Sequence, residues 1–339
     1  MTLSRVVLLA LIAACRAPGP PPVVQVLPDV RPPPPLDPPT RSARAAGQTY
    51  AEMRHVRFRL DPLLVLEIVH LTGRMRPTRT GHPIDFDEPR SLALAIADAD
   101  VRIDTTSLAR LMNRYVFGFP HAPLTDLHFA SRISGRDSLL QVRGVLHEHL
   151  AVPFTITASV RVTPDRLLRL HPTDVNLGAM DVDWIMRALG LHLQQLIDAK
   201  QAVGLRLDGN DLIVDPTRAL PPPKISGVLR DVHVVTEGLA LRFHDAALLA
   251  RLTPRPRLPV PASNYMYFRG GVLEFGKLFM PRADMEVVDS AAGDWFDFFL
   301  AQYQRQLVAG HSETLPDYGL RVVMQDYDRI VAARRQTAQ

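Results

Sequence analysis

The chain has 339 residues, with 47% hydrophobic and 22% charged side chains and a formal net charge of +4. That is long enough for one large or two ordinary domains with real cores, and the composition is ordinary for a globular protein. The basic residues are scattered along the chain and only Lys200, Lys224 and Lys277 are lysines, so the positive balance does not mark a nucleic-acid-binding surface.

The N-terminus reads Met1-Thr2-Leu3-Ser4-Arg5, then a nine-residue apolar run from Val6 to Ala14, then Cys15, the single cysteine. A basic start, a short apolar core and small residues before a cut site are the parts of a secretory signal peptide. Nine residues fall far short of the roughly 20 that a spanning helix needs. Ile12-Ala13-Ala14-Cys15 resembles the lipobox of bacterial lipoproteins, which implies cleavage after residue 14 and lipid attachment at Cys15. The alternative is an ordinary signal peptide with a cysteine near its cut. With Cys15 acylated, no thiol remains for a disulfide, a metal site or a nucleophile.

Residues 18–39 hold eleven prolines. Such a tract favours polyproline II at about 3.1 Å per residue, so it reaches roughly 70 Å. It reads as a semi-rigid stalk over 15–44, or as a linker without a length requirement.

Short strand-like runs follow. His55–Leu60 alternates polar and apolar, the period of a half-buried strand. Leu63–Leu71 is more continuously apolar, and Leu92–Ile96 alternates large and small side chains. Leu124–Ile133, Leu139–His149 and Pro153–Val162 come next. Asp208-Gly209-Asn210 and Glu237-Gly238 mark hairpin turns, and Arg269-Gly270-Gly271 predicts a third between 265–268 and 272–275.

Three segments read as helices. The first is capped at Asp104-Thr105-Thr106. The second begins near Asp181, with Val182, Ile185, Met186, Leu189, Leu193, Leu196 and Ile197 in a broad apolar stripe. The third runs from about Asp294 to Val308 through Trp295, Phe296, Phe298, Phe299 and Tyr303. The proline-rich residues 215–225 should cross between elements in extended form, and prolines at 254, 256, 259 and 261 separate a main domain (45–253) from a smaller C-terminal α+β module (254–339).

Sequence motifs for chemistry are weak. No Gly-x-Ser-x-Gly elbow, phosphate-binding loop or His-Glu-x-x-His occurs. His147 and His149 would share one face of a strand, but zinc needs a third ligand and outer partners, and none is evident nearby. Asp174, Asp181 and Asp183 lack the spacing of a calcium loop. Asp208, Asp211 and Asp215 suit turns. His311-Ser312-Glu313 has hydrolytic residue types at adjacent positions, which do not make a triad. No catalytic residue, metal or cofactor is assigned. The stripe at 182–197 is either a core helix or the wall of a lipid-sized apolar cavity.

Two resemblances complete the reading. Leu139–Gly144, Pro153-Phe154, Arg169–Asp174, Asn210–Pro216, Leu220–Ile225, Asn264–Gly271 and Leu315–Asp317 resemble a group of uncharacterised bacterial exported proteins. The element order is similar to tubular lipid-binding (TULIP-like) domains, which implies an α+β fold with a long twisted antiparallel sheet wrapped around one or two amphipathic helices. The resulting expectation is a lipid-anchored, periplasm-facing envelope protein, at the outer rather than the inner membrane, that binds a lipid or other apolar ligand without covalent catalysis. An envelope scaffold docking another protein is the alternative, and a hydrolase with dispersed residues is the third reading.

Overall fold

The computed structural model describes residues 47–135, 137–147, 151–178, 180–181, 201–252, 263–291, 295–316 and 319–337. Residues 39–339 group into one compact unit. Its first strands are β1 (Thr49–Asp61), β2 (Leu64–Pro77), β3 (Ile84–Asp85) and β4 (Leu92–Asp104). Helix α1 (Thr105–Leu111) continues into a wider π turn over Met112–Val116. Then come β5 (Leu124–Ser134), β6 (Asp137–His147), β7 (Ala151–Val162), β8 (Leu168–Leu177), β9 (Met180–Asp181), β10 (Leu205–Asp208) and β11 (Asp211–Val214). A single helical turn, α2 (Pro216–Ala219), precedes β12 (Lys224–Ser226), β13 (Leu229–Val235), β14 (Gly238–His244) and α3 (Ala246–Leu249). The chain ends with β15 (Tyr265–Arg269), β16 (Leu273–Phe275), β17 (Leu278–Met280), β18 (Asp284–Asp289), β19 (Phe296–Phe299), α4 (Tyr303–Ala309), β20 (His311–Thr314), β21 (Leu320–Met324) and α5 (Tyr327–Thr337).

Alternation explains the strands and their faces. In β4, Leu92, Leu94 and Ile96 are buried, and so are Ala99, Val101 and Ile103. The change of parity falls at Ala97, where Gly73 pairs with Ile96 but Thr72 pairs with Asp98. This one-residue bulge returns the second half of the strand to the same buried face. In β1 the parity changes at His55, which adopts a left-handed φ of 47°, so that Met53 and Val56 both face inward. The turn into β2 is held by Asp61, whose carboxylate accepts the amides of Leu63 and Leu64.

Three sheets result. The first has eleven strands in the order β13-β14-β4-β2-β1-β15-β18-β21-β20, with β12 beside β4 and β19 beside β1. The second has seven, β10-β11-β8-β7-β6-β5, with β9 beside β8. The third is β17-β16-β3. The C-terminal strands β15, β18, β20 and β21 thus extend the same sheet as β1 and β4. One apolar core links the sheets, and Phe275, Phe298 and Tyr303 form an aromatic knot within it.

This architecture corrects the TULIP-like expectation of one long sheet wrapped around helices. The sheets are separate and open, and none curls or closes around a helix among the described residues. The described α-helices have 4 to 11 residues, too short to be sheathed as a central rod. Antiparallel pairing dominates, but β19, β12, β21 and β16 each make a parallel pair, with β1, β4, β18 and β3. Those long-range insertions replace the continuous meander that a tube requires.

Two local expectations also change. The aromatic run at 296–299 is a strand, not part of a helix; helical geometry begins only at Leu300 and Tyr303. Phe296, Phe298 and Phe299 are all buried there, and aromatic side chains suit a strand covered on both faces. The segments around Arg269-Gly270-Gly271 do not pair with each other: β15 lies between β1 and β18, while β16 pairs with β17 and β3. Gly270 and Gly271 have φ of 80° and 65°, and a Cβ on Gly271 would lie 2.4 Å from the Thr49 hydroxyl. The tight corner passes the chain from one sheet to another.

Candidate apolar cavity between two sheets

The inner faces of the first and second sheets line an apolar cavity of about 200 Å³ that is partly open to solvent. Along one wall lie the alternating β4 side chains Leu92, Leu94, Ile96, Val101 and Ile103. The opposite wall comes from β6, β7 and β8, including Leu140, Val142, Phe154, Ile156, Leu168 and Leu170. Leu108 and Leu111 of α1 and Met112 of the π turn add to the lining. Asp104 fixes that helix by accepting the Ser107 amide, and the Ser107 hydroxyl oxygen in turn accepts the Val65 amide.

Among the described residues the lining is apolar apart from Thr217, whose hydroxyl donates to Asp215 Oδ1 at 2.7 Å. No charged side chain lines the space among the described residues. Phe129, Val142, Ile156, Leu177 and Leu212 point to the lining yet remain only half-buried. A well-packed interior would bury them, because native cores have few voids larger than a water molecule.

Charged groups lie around this apolar space rather than in it. At the β1–β2 turn, Asp61 Oδ2 accepts Arg110 Nε at 2.7 Å and the Tyr115 hydroxyl at 2.8 Å. Burial pushes the Asp61 carboxyl up, but the hydrogen bonds from Arg110, Leu63 and Tyr115 outweigh it and hold the group below the ordinary carboxylate range. On β4, Asp98 lies 2.8 Å from His70 Nε2 and 2.7 Å from His244 Nδ1. Burial again acts upward, and the contacts with His244 and His70 bring the Asp98 carboxyl down. Both clusters tie strands or helices together, which accounts for them structurally.

The residues singled out from the sequence are placed as follows. Cys15 and the stripe Val182, Ile185, Met186, Leu189, Leu193, Leu196 and Ile197 lie outside the described residues, as do His149 and Asp183. His147 contacts the Thr125 hydroxyl at 2.8 Å. Asp211 pairs with Arg169 and His171, and Asp215 caps α2. His311, Ser312 and Glu313 lie on the exposed strand β20, where Glu313 pairs with Arg321. No group of three metal-ligating side chains is assembled among the described residues, and no helix there is long and apolar enough to cross a membrane.

Of the lining strand residues, alternation in the sequence marks Phe58 and Leu60 of β1 and Leu92, Leu94 and Ile96 of β4; those of β6, β7 and β8 carry no such signal. Alternation reports which face is apolar, but it does not report whether the opposing face packs tightly against it. Compared with protein-family models, with curated proteins and with solved structures, the chain matches none, so the resemblance to a group of exported bacterial proteins is not sustained.

Proposed function

We propose that the protein binds a lipid or other apolar ligand in the cavity between the first two sheets, without a covalent step. We propose further that Cys15 carries a lipid that holds the protein at a bacterial envelope membrane, facing the periplasm. The observation that carries the binding reading is a space of about 200 Å³ between the two sheets with no charged side chain on its described lining. Engineered apolar cavities of about 150 Å³ stay dry and accept benzene.

Titration with a fluorescent fatty acid tests the reading. Saturable binding at one molecule per chain is expected, with displacement by unlabelled fatty acid. A flat titration after removal of endogenous lipid contradicts it.

A further inference from the structure

We infer that the outer face of the first sheet carries a binding site for a phosphoryl group, built on Arg74, Arg76, Lys224 and Arg251 and separate from the apolar cavity. The strand register places it. Ala93 and Ala95 are outward positions of β4, on the opposite face from the cavity-lining Leu92, Leu94 and Ile96. On one side, β2 sets Arg76 beside Ala93 and Arg74 beside Ala95. On the other, β12 sets Lys224 beside Ala93. Arg76 and Lys224 therefore stand two strand spacings apart, about 10 Å, with a small alanine side chain between them. Arg251 arrives from a third element. Helix α3 packs against β4 and β2, and the Asp245 amide at its start donates to the Ala97 carbonyl at 2.7 Å. The Arg251 amide then closes the following turn on the Leu248 carbonyl at 3.0 Å.

These cations stand together without counter-charges: none of the four pairs with a carboxylate among the described residues. The next outward carboxylate along β4, Asp98, is taken by His70 and His244, and Asp245 accepts the Leu248 amide. Arg74 gives the sharper sign. Its Nη1 donates to Gln48 Oε1 at 3.0 Å, but its Nε is buried with no acceptor, one of two such side-chain atoms among the described residues. Buried polar groups in folded proteins nearly always have a partner. Burial and the like charges of Arg76 and Arg251 hold the Arg74 guanidinium below its ordinary range. A bound oxyanion reverses both effects. Arg74 is only half-buried, and turning it outward presents the Nε–Nη2 edge for the two-point contact that arginine makes with phosphate. The charge of the anion offsets the repulsion among the cations. A phosphoryl group suits the site better than a carboxylate, because its additional oxygens reach cations on three different elements.

Two sources carry that chemistry, a soluble phosphate and the headgroup of an anionic phospholipid, and the test separates them. The full chain carrying Cys15→Ser is titrated calorimetrically with inorganic phosphate, with ionic strength held constant by sodium chloride. It is also sedimented with phosphatidylcholine vesicles that contain or lack phosphatidylglycerol. Saturable binding to at least one probe is expected, weakened about tenfold by Arg74→Gln and about threefold by Arg251→Gln. Arg251 is exposed, so its variant serves should Arg74→Gln fail to fold. Arg132→Gln removes an equal charge from β5 of the second sheet and is expected to leave binding unchanged. An Arg74-dependent response to phosphate alone identifies a soluble ligand, and one that includes phosphatidylglycerol vesicles identifies a headgroup. Absence of binding to both probes overturns the site. Binding that the folded Arg74 and Arg251 variants leave unchanged, or that Arg132→Gln weakens as much, overturns it too. The cavity lies on the other face of β4, so fatty-acid binding and phosphate binding succeed or fail separately.

Discussion

At Asp61, one carboxylate receives four hydrogen bonds: two amides of its own turn, Arg110 and the Tyr115 hydroxyl. Replacing it with Asn keeps the shape but removes the charge that those donors face. Asp61→Asn is expected to cost about 2 kcal/mol, read as a lower midpoint in urea unfolding. The pH dependence follows from the depressed folded-state value. The unfolded carboxyl titrates near 3.9, so the stabilisation from Asp61 and Asp98 is fully present well above that pH. It is lost as pH falls toward their lower folded values. Acid unfolding between about pH 5 and 2 should accordingly be shallower in Asp61→Asn and Asp98→Asn, because fewer protons are taken up on unfolding. A slope identical to the wild-type protein would show that neither carboxylate is held down by its partners. Little of this was legible in sequence. Asp61 looks like any turn aspartate, and its partners Arg110 and Tyr115 lie 49 and 54 residues away.

The element that best shows how the C-terminal segment holds together is β19 with α4. Gln306 is fully buried, and its side chain ends the strand by hydrogen bonding rather than by packing. Its Oε1 accepts the Phe299 amide at 2.9 Å, while Nε2 donates to the carbonyls of Asp297 and Gln325 at 2.8 and 2.9 Å. Gln306→Leu is nearly the same size but strands the buried Phe299 amide and Asp297 carbonyl and removes the bond to Gln325. A loss of about 3 kcal/mol is expected, measured by chemical denaturation, whereas an unchanged midpoint would mean that water replaces the amide. Phe296, Phe299 and Tyr303 repeat at helical spacing, which predicts a helix across this whole segment. A short apolar run satisfies both periods, and its parallel partner, Val56–Arg59, lies some 240 residues earlier, where no local pattern can point to it. By contrast, α1 and the 208–211 and 235–238 hairpins were legible, because a cap or a tight turn is specified within a few residues.

For the whole molecule, local signals predicted strands far better than they predicted sheets. β1 illustrates the reason: its alternation marks the buried face, yet its edge is shared between β15 and β19. Nothing within β1 encodes that choice, and it is one reason the chain builds three open sheets instead of a tube. The cavity follows from the same arrangement, since two separately built apolar faces meet without filling the space between them. The anchoring proposal is tested independently of the fold. Cys15→Ser is expected to move the protein from the membrane to the soluble fraction without changing its thermal midpoint. Retention on membranes through a high-salt wash would contradict acylation at Cys15.

The central claim is that the space between the first two sheets holds an apolar ligand. Its most direct test is the native mass of the freshly purified full chain carrying Cys15→Ser, with and without Ala158→Phe, which projects a ring from β7 into that space. The account predicts an added mass of one lipid-sized, organic-extractable molecule on the first protein and none on the second. Ligand-free protein that also refuses added fatty acid, or the same added mass on both proteins with the Phe variant folded, would contradict it.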